Sequence, residues 1–211
     1  MNKYYKTLSN ILNKGKTQVN KKGNIKYLIN ETLSMNNKNL LKIFKEHPIA
    51  KSKLLKELDL YFKGITDVKE YNKKGIFWWD YCAPNLINSY PTYFKKLPAL
   101  IEKINKEKRS SKNYVLFIGE TGVQTNQLPC LSLIQFQISD NKLYITVFQR
   151  SADSSLGLPS DIYQMFLISK LINIKLENIT FFIGNAHIYE NNIKSTYSLL
   201  EGNKSKFNLN V

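Results

Sequence analysis

The chain has 211 residues, 43% of them hydrophobic and 12% aromatic, with 31 basic against 16 acidic side chains and a net charge of +15. That balance excludes a disordered chain and suits one domain with a sizeable core. Two cysteines cannot build a disulfide framework, no window approaches 18 uninterrupted apolar residues, and the start MNKYYKTLSN lacks a signal-peptide core, so a cytoplasmic protein outside the membrane is expected.

Residues 1–13 read as a helix with Tyr4, Leu8, Ile11 and Leu12 on one face. Residues 14–24 (KGKTQVNKKGN) read as a basic polar loop, and 25–36 as a strand. From Asn39 to Gly64 the apolar spacing predicts helical segments, interrupted near His47-Pro48. Residues 76–94 are aromatic-rich and broken by Pro84 and Pro91, and 95–108 form an amphipathic helix. VLFIG is a buried strand, and LSLIQFQI and KLYITVFQ pair as a hairpin across Ser139-Asp140-Asn141. A helix is predicted over 161–175, a strand over 179–184 and a last helix over 187–200. Interleaved strands and helices without a repeat or linker point to a single α+β domain over 1–211.

The charge suggests an anionic partner (nucleic acid, a membrane surface or a phosphorylated small molecule) unless the lysines only solvate the surface. Only Arg109 and Arg150 are arginines. Lysine performs a bidentate phosphate clamp poorly, so an arginine that persists in so lysine-rich a chain draws attention.

Three blocks carry chemistry: LPC at 128–130, QRSADSSLGLPSDIY at 149–163 and GNAHIY at 184–189. Upstream stand LKELDLYFKGITD at 55–67 and the pair Trp79-Asp80. Together, in this order, they resemble the thymidylate synthase superfamily, which includes the pyrimidine nucleotide hydroxymethylases. The resemblance covers most of the chain, and its QRSxDxxLGxP stretch is the most specific part.

The resemblance implies a mixed, bent sheet packed by helices, with one sheet face at a homodimer interface. It implies 5,10-methylenetetrahydrofolate as co-substrate and a pyrimidine nucleoside monophosphate as substrate, with no direct nucleic-acid binding. Cys130 would be the nucleophile that adds to C6 of the ring. Standing alone, a free cysteine is more often a buried structural one, which is how Cys82 is read. Arg150 and Ser151 would hold the phosphate, with Lys21 assisting; Lys22 is an equally good candidate, and either lysine is as readily a solvated loop charge. Arg109–Lys112 is the region from which a partner subunit would reach the phosphate. His187 and Tyr189 would bond the sugar. Glu57 would be the general acid/base. Trp79, Asp153 and Gly157 would form the folate side of the site, with Tyr90 near its outer edge.

Four departures bear on the reaction. Synthases carry an asparagine that reads the uracil edge where this chain has Asp161. An ionised carboxylate accepts from the N4 amino group of cytosine and repels uracil O4; a protonated one donates to N3. Deoxycytidylate hydroxymethylases resemble this sequence in having Asp there, so hydroxymethylation of dCMP is the leading expectation. Asp161 as a mere cap of the following helix is the bland alternative, although Ser160 is placed for that job. Leu131 replaces the usual histidine after the cysteine, Asn185 stands where aspartate is frequent, and the chain ends at KSKFNLNV, shortened against synthases. The missing histidine and the short end lean towards a water attacking an exocyclic methylene, where a synthase would deliver hydride. A thymidylate synthase acting on dUMP, a CMP hydroxymethylase and an inactive nucleotide-binding paralogue remain the alternatives.

Overall fold

The computed structural model describes residues 2–20, 23–120 and 128–208. Among the described residues, six strands form one sheet in the order β1-β2-β6-β5-β4-β3. They are β1 (Lys16–Asn20), β2 (Gly23–Asn36), β3 (Val115–Phe117), β4 (Leu131–Ser139), β5 (Lys142–Asp153) and β6 (Lys175–Tyr189). Every neighbouring pair is antiparallel except β5 and β6, which run parallel and are joined through helix α7 (Gly157–Lys170). The sheet is mixed and helix-packed, as expected for an α+β domain.

The remaining helices are α1 (Lys3–Lys14), α2 (Asn37–Glu46), α3 (Lys51–Phe62), α4 (Val68–Lys73), α5 (Tyr90–Phe94), α6 (Leu97–Glu107) and α8 (Glu190–Leu200). Local chemistry sets their starts: the side chains of Asn2, Asn36 and Asp67 accept the first free N–H groups of α1, α2 and α4. Pro48 ends the run between α2 and α3, where no N–H could continue a helix. The β4–β5 hairpin turns on Asp140 and Asn141 at φ 50° and 57°, the left-handed pair that a two-residue turn requires.

Apolar residues at alternate positions of β5 and β6 (Leu143, Ile145, Val147; Ile179, Phe181, Ile183) form the floor of the core, and Leu158, Ile162, Met165 and Ile168 of α7 cover it. Asn30, Gly184 and Arg150 lie in a row across β2, β6 and β5. Asn30 leaves the extended conformation at φ 59°, and a Cβ on Gly184 would stand 2.8 Å from the Arg150 carbonyl oxygen. Only glycine permits that approach.

Three expectations change. Residues 14–24 are not all loop: Lys16–Asn20 is a strand antiparallel to β2, with Lys16, Thr17, Gln18 and Val19 exposed at the sheet edge. β6 extends to Tyr189, so His187 and Tyr189 lie within it. Helix α7 starts at Gly157, four residues early, which puts Asp161 in its second turn, where it cannot be the cap. Ser160 is also inside the helix, its hydroxyl donating to the Leu156 carbonyl. Among the described residues no helix is long and apolar enough to cross a membrane.

Candidate active site

A cavity of about 1030 Å³ opens over the carboxyl ends of β5 and β6. It is lined by Cys130, Glu57, Asp161, Arg150, Ser151, His187, Tyr189, Trp79, Asp153 and Gly157, so the expected residues converge on one place. Lys21 and Lys22 lie outside the described residues. Arg109 is exposed on the surface, bonded to Glu107 at 3.2 Å.

Cys130 closes the loop ahead of β4. The Arg150 N–H bonds the Cys130 carbonyl at 2.8 Å, and the guanidinium donates to the carbonyls of Pro129 (3.0 Å) and Leu128 (2.7 Å). Cys130 Sγ and the guanidinium share a partner, the Ser151 hydroxyl, at 3.4 Å from each. Arg150 thus brings positive charge beside the sulfur and ties down the turn that carries it.

On β6, His187 Nδ1 faces Asn185 Oδ1 at 3.1 Å. That bond needs the proton on Nδ1, and burial favours the neutral ring, so Nε2 is the acceptor. The Tyr189 ring packs edge-on to the imidazole, 5.1 Å between centroids. Burial, then the charges of Asp153 and Cys130, push the Tyr189 phenol up to about 12.

Asp153 holds the turn into α7, its Oδ1 accepting from Ser155 N (3.0 Å), Ser155 Oγ (2.8 Å) and Leu156 N (3.3 Å). Asp161 Oδ2 accepts from the buried Gln149 amide at 2.6 Å. Burial raises the Asp161 carboxyl to about 7, with the charges of Glu57 and Asp153 adding to the rise and the Gln149 bond opposing it. Glu57 is raised by burial as well, against the hydrogen bonds it accepts from Trp78, Trp79, Tyr61 and Gln164. Carboxyls that burial raises above their ordinary range, gathered in one cavity, are suited to proton exchange.

Sequence reasoning assigned no role to Gln149, Gln164 or Trp78. A signal existed for Gln164: it is a lone amide in the apolar run of α7, at a buried position. Cys82, read as structural, is buried but also lines the cavity. Tyr90 packs against Trp79 and its hydroxyl accepts from the Leu131 N–H at 3.4 Å. Ser205, Lys206 and Phe207 line the cavity too, and the Phe207 ring stacks on His47 at 5.0 Å, so residues 205–207 form part of the wall.

The sequence model of the family described as Thymidylate synthase matches residues 2–210. The Thymidylate synthase of Staphylococcus haemolyticus (strain JCSC1435) is 30% identical over 137 residues, 63% of this chain and 42% of that protein. The Thymidylate synthase of Buchnera aphidicola subsp. Baizongia pistaciae (strain Bp) is 29% identical over 160 residues, 67% of this chain and 61% of that protein. The chain thus spans less than two thirds of the length of either relative. A match from the first helix to the last described residues, on a sheet whose parallel strands deliver the QRS and GNAHIY segments to one cavity, makes this chain a member of the thymidylate synthase family.

Proposed function

We propose that the protein transfers a one-carbon unit from 5,10-methylenetetrahydrofolate to C5 of a pyrimidine nucleotide, and that its substrate is dCMP, which leaves as the 5-hydroxymethyl nucleotide. The observation that carries the choice of base is Asp161: a carboxyl facing the cavity, its Oδ2 fixed by Gln149, where the family's asparagine would read uracil.

The cavity, about 1030 Å³, is at the upper end of the roughly 300–1,000 Å³ usual for ligand sites and has room for two ligands. Trp79 offers an apolar wall and Asp153 a carboxylate edge to a pterin, so the residues present fit the folate. When bound, methylenetetrahydrofolate supplies a carbon at the oxidation level of formaldehyde. Arg150 and Ser151 bind the phosphate. His187 Nε2 accepts from a sugar hydroxyl and the Tyr189 hydroxyl donates beside it. Cys130 adds to C6, which makes C5 nucleophilic. Asp161, protonated, donates to N3 as electron density builds there and accepts from N4 through its other oxygen. Glu57 takes and returns the protons.

Leu131 is buried next to the nucleophile, where the family's histidine would order water differently. With residues 205–207 closing part of the wall, Leu131 and Asp161 are what favours hydroxymethylation. Methylation of dUMP is the second reading, favoured by the names of the two relatives. Incubation with methylenetetrahydrofolate and dCMP, CMP or dUMP, with products identified by mass, separates them. Hydroxymethyl-dCMP with tetrahydrofolate is expected; methylated dUMP with dihydrofolate overturns the choice.

Arg150→Lys keeps the charge but loses the fork that meets phosphate and the two loop carbonyls. The KM for dCMP is expected to rise about tenfold or more and kcat to fall with it. Steady-state kinetics with both constants unchanged would remove Arg150 from the site.

The active unit in this reading is a homodimer. Phe117, Leu133, Phe148 and Phe182 form a registered row across β3, β4, β5 and β6, and Phe148 and Phe182 stack at 5.0 Å while 43% and 40% exposed. A contiguous, partly exposed apolar face marks an interface. Sedimentation equilibrium is expected to give twice the chain mass; a monomer at micromolar concentration contradicts it.

A further inference from the structure

The two oxygens of Glu57 are served differently. The indole Nε1 groups of Trp78 and Trp79 both donate to Oε1, each at 2.6 Å. A carboxyl oxygen has two lone pairs, so Oε1 has none left for a proton. Oε2 accepts from Gln164 Nε2 at 2.7 Å. The Tyr61 hydroxyl also bonds the carboxylate and, unlike the three N–H donors, can accept in return. Gln164 is 5% exposed and sits one turn beyond Asp161 on α7, both residues lining the cavity. A buried amide is costly unless bonded. This one spends its N–H on the carboxyl.

We propose that Gln164 is a positioning residue for Glu57, one that orients Oε2 and makes that oxygen the seat of the proton that Glu57 exchanges. The catalytic use of that proton rests on the function proposed above, whereas the contact itself does not. Helix α7 then issues two instructions a turn apart: Asp161 addresses the base and Gln164 addresses the acid/base carboxyl.

The titratable groups facing Glu57 are Tyr61 on its own helix, Tyr71 on α4, Tyr90 behind Tyr61 on α5, and Asp161 on α7. Burial raises all three phenols above their usual range, so below that range the groups that titrate here are the carboxyls of Glu57 and Asp161. The Gln164 N–H stabilises the ionised carboxyl over the neutral one. Removing it makes Glu57 hold its proton more tightly.

Trp78 and Trp79 are the only tryptophans of the chain, so the indole emission of the ligand-free protein reports the ionisation of Glu57 without reference to any reaction. A pH titration of emission is expected to show a step in the wild type that is absent from Glu57→Gln and moves up by about 1–2 pH units in Gln164→Leu. Gln164→Met has the same length and no N–H, and gives a second reading if near-UV circular dichroism shows the leucine variant misfolded. A wild-type midpoint in the folded Gln164 variants, or a step that survives Glu57→Gln, overturns the proposal. In turnover, the corresponding limb of the kcat profile is expected to move with the emission midpoint while KM for dCMP changes less than about twofold. A kcat loss equal at every pH marks Gln164 as packing only and also overturns it. If no pyrimidine nucleotide turns over but the emission midpoint still moves, the contact stands and the functional reading is what fails.

Discussion

Replacing Cys130 with serine abolishes turnover, by about 10⁴-fold or more, and leaves nucleotide binding within a few-fold. A hydroxyl is not ionised near neutrality and has little nucleophilicity towards C6, whereas a thiolate is accessible and strongly nucleophilic. Serine is smaller by little, and the loop is held by backbone groups: Arg150 N–H to the Cys130 carbonyl and the guanidinium to the carbonyls of Pro129 and Leu128. The variant therefore folds with the hydroxyl where the sulfur was. Product formation by mass and dCMP binding by calorimetry check both halves. Turnover retained in this variant would exclude the covalent adduct.

On the proposed reading, Asp161→Asn is expected to shift the preference from dCMP towards dUMP, changing the ratio of kcat/KM values by about 10²–10⁴. The amide presents a donor and an acceptor to O4 and N3–H of uracil, and the Gln149 amide then meets the Asn carbonyl as it met Oδ2. An unchanged ratio would show that Asp161 does not read the base. Asp161 is raised to about 7 by burial, so the wild type is expected to lose dCMP turnover as pH rises through about 7, and the variant to lack that limb. The stability effect has the same sign. The folded state holds this proton more tightly than the unfolded chain, so the stabilisation is complete below about pH 4 and is lost as pH rises through about 7. The Asn variant is expected to gain about 1–2 kcal/mol over the wild type at pH 8 and almost nothing at pH 4, read by urea unfolding at the two pH values.

Much of the site was legible because its segments are short, distinctive and strung along the chain in the family's order. Cys130, Arg150, Asp161 and His187 were named through the family resemblance that those segments carry, and they share one cavity. The strand β1 was hidden because an edge strand with no buried face shows no alternation: Lys16, Thr17, Gln18 and Val19 read as loop. The early start of α7 was hidden by Gly157 and Pro159, which punctuate a sequence but are tolerated in a first turn. The far half of β6 was lost where Gly184 and Asn185 interrupt the apolar run. Gln149 and Gln164 could not be paired with Asp161 and Glu57 because those contacts exist only once α7 packs on β5 and on α3.

Because β5 and β6 run in the same direction, both strands finish over the same cavity, and the helix between them lines it as well. Arg150, Ser151, Asp153, Asp161, His187 and Tyr189 therefore all come from one crossover of consecutive chain, while Cys130 and Glu57 stand on other elements. The residues proposed to read the nucleotide thus share one stretch of sequence, and that stretch also touches the attacking groups: Arg150 holds the Cys130 segment and Gln164 bonds Glu57. A substitution inside that single βαβ unit can therefore bear on the base or, at Arg150 and Gln164, on the attacking groups as well.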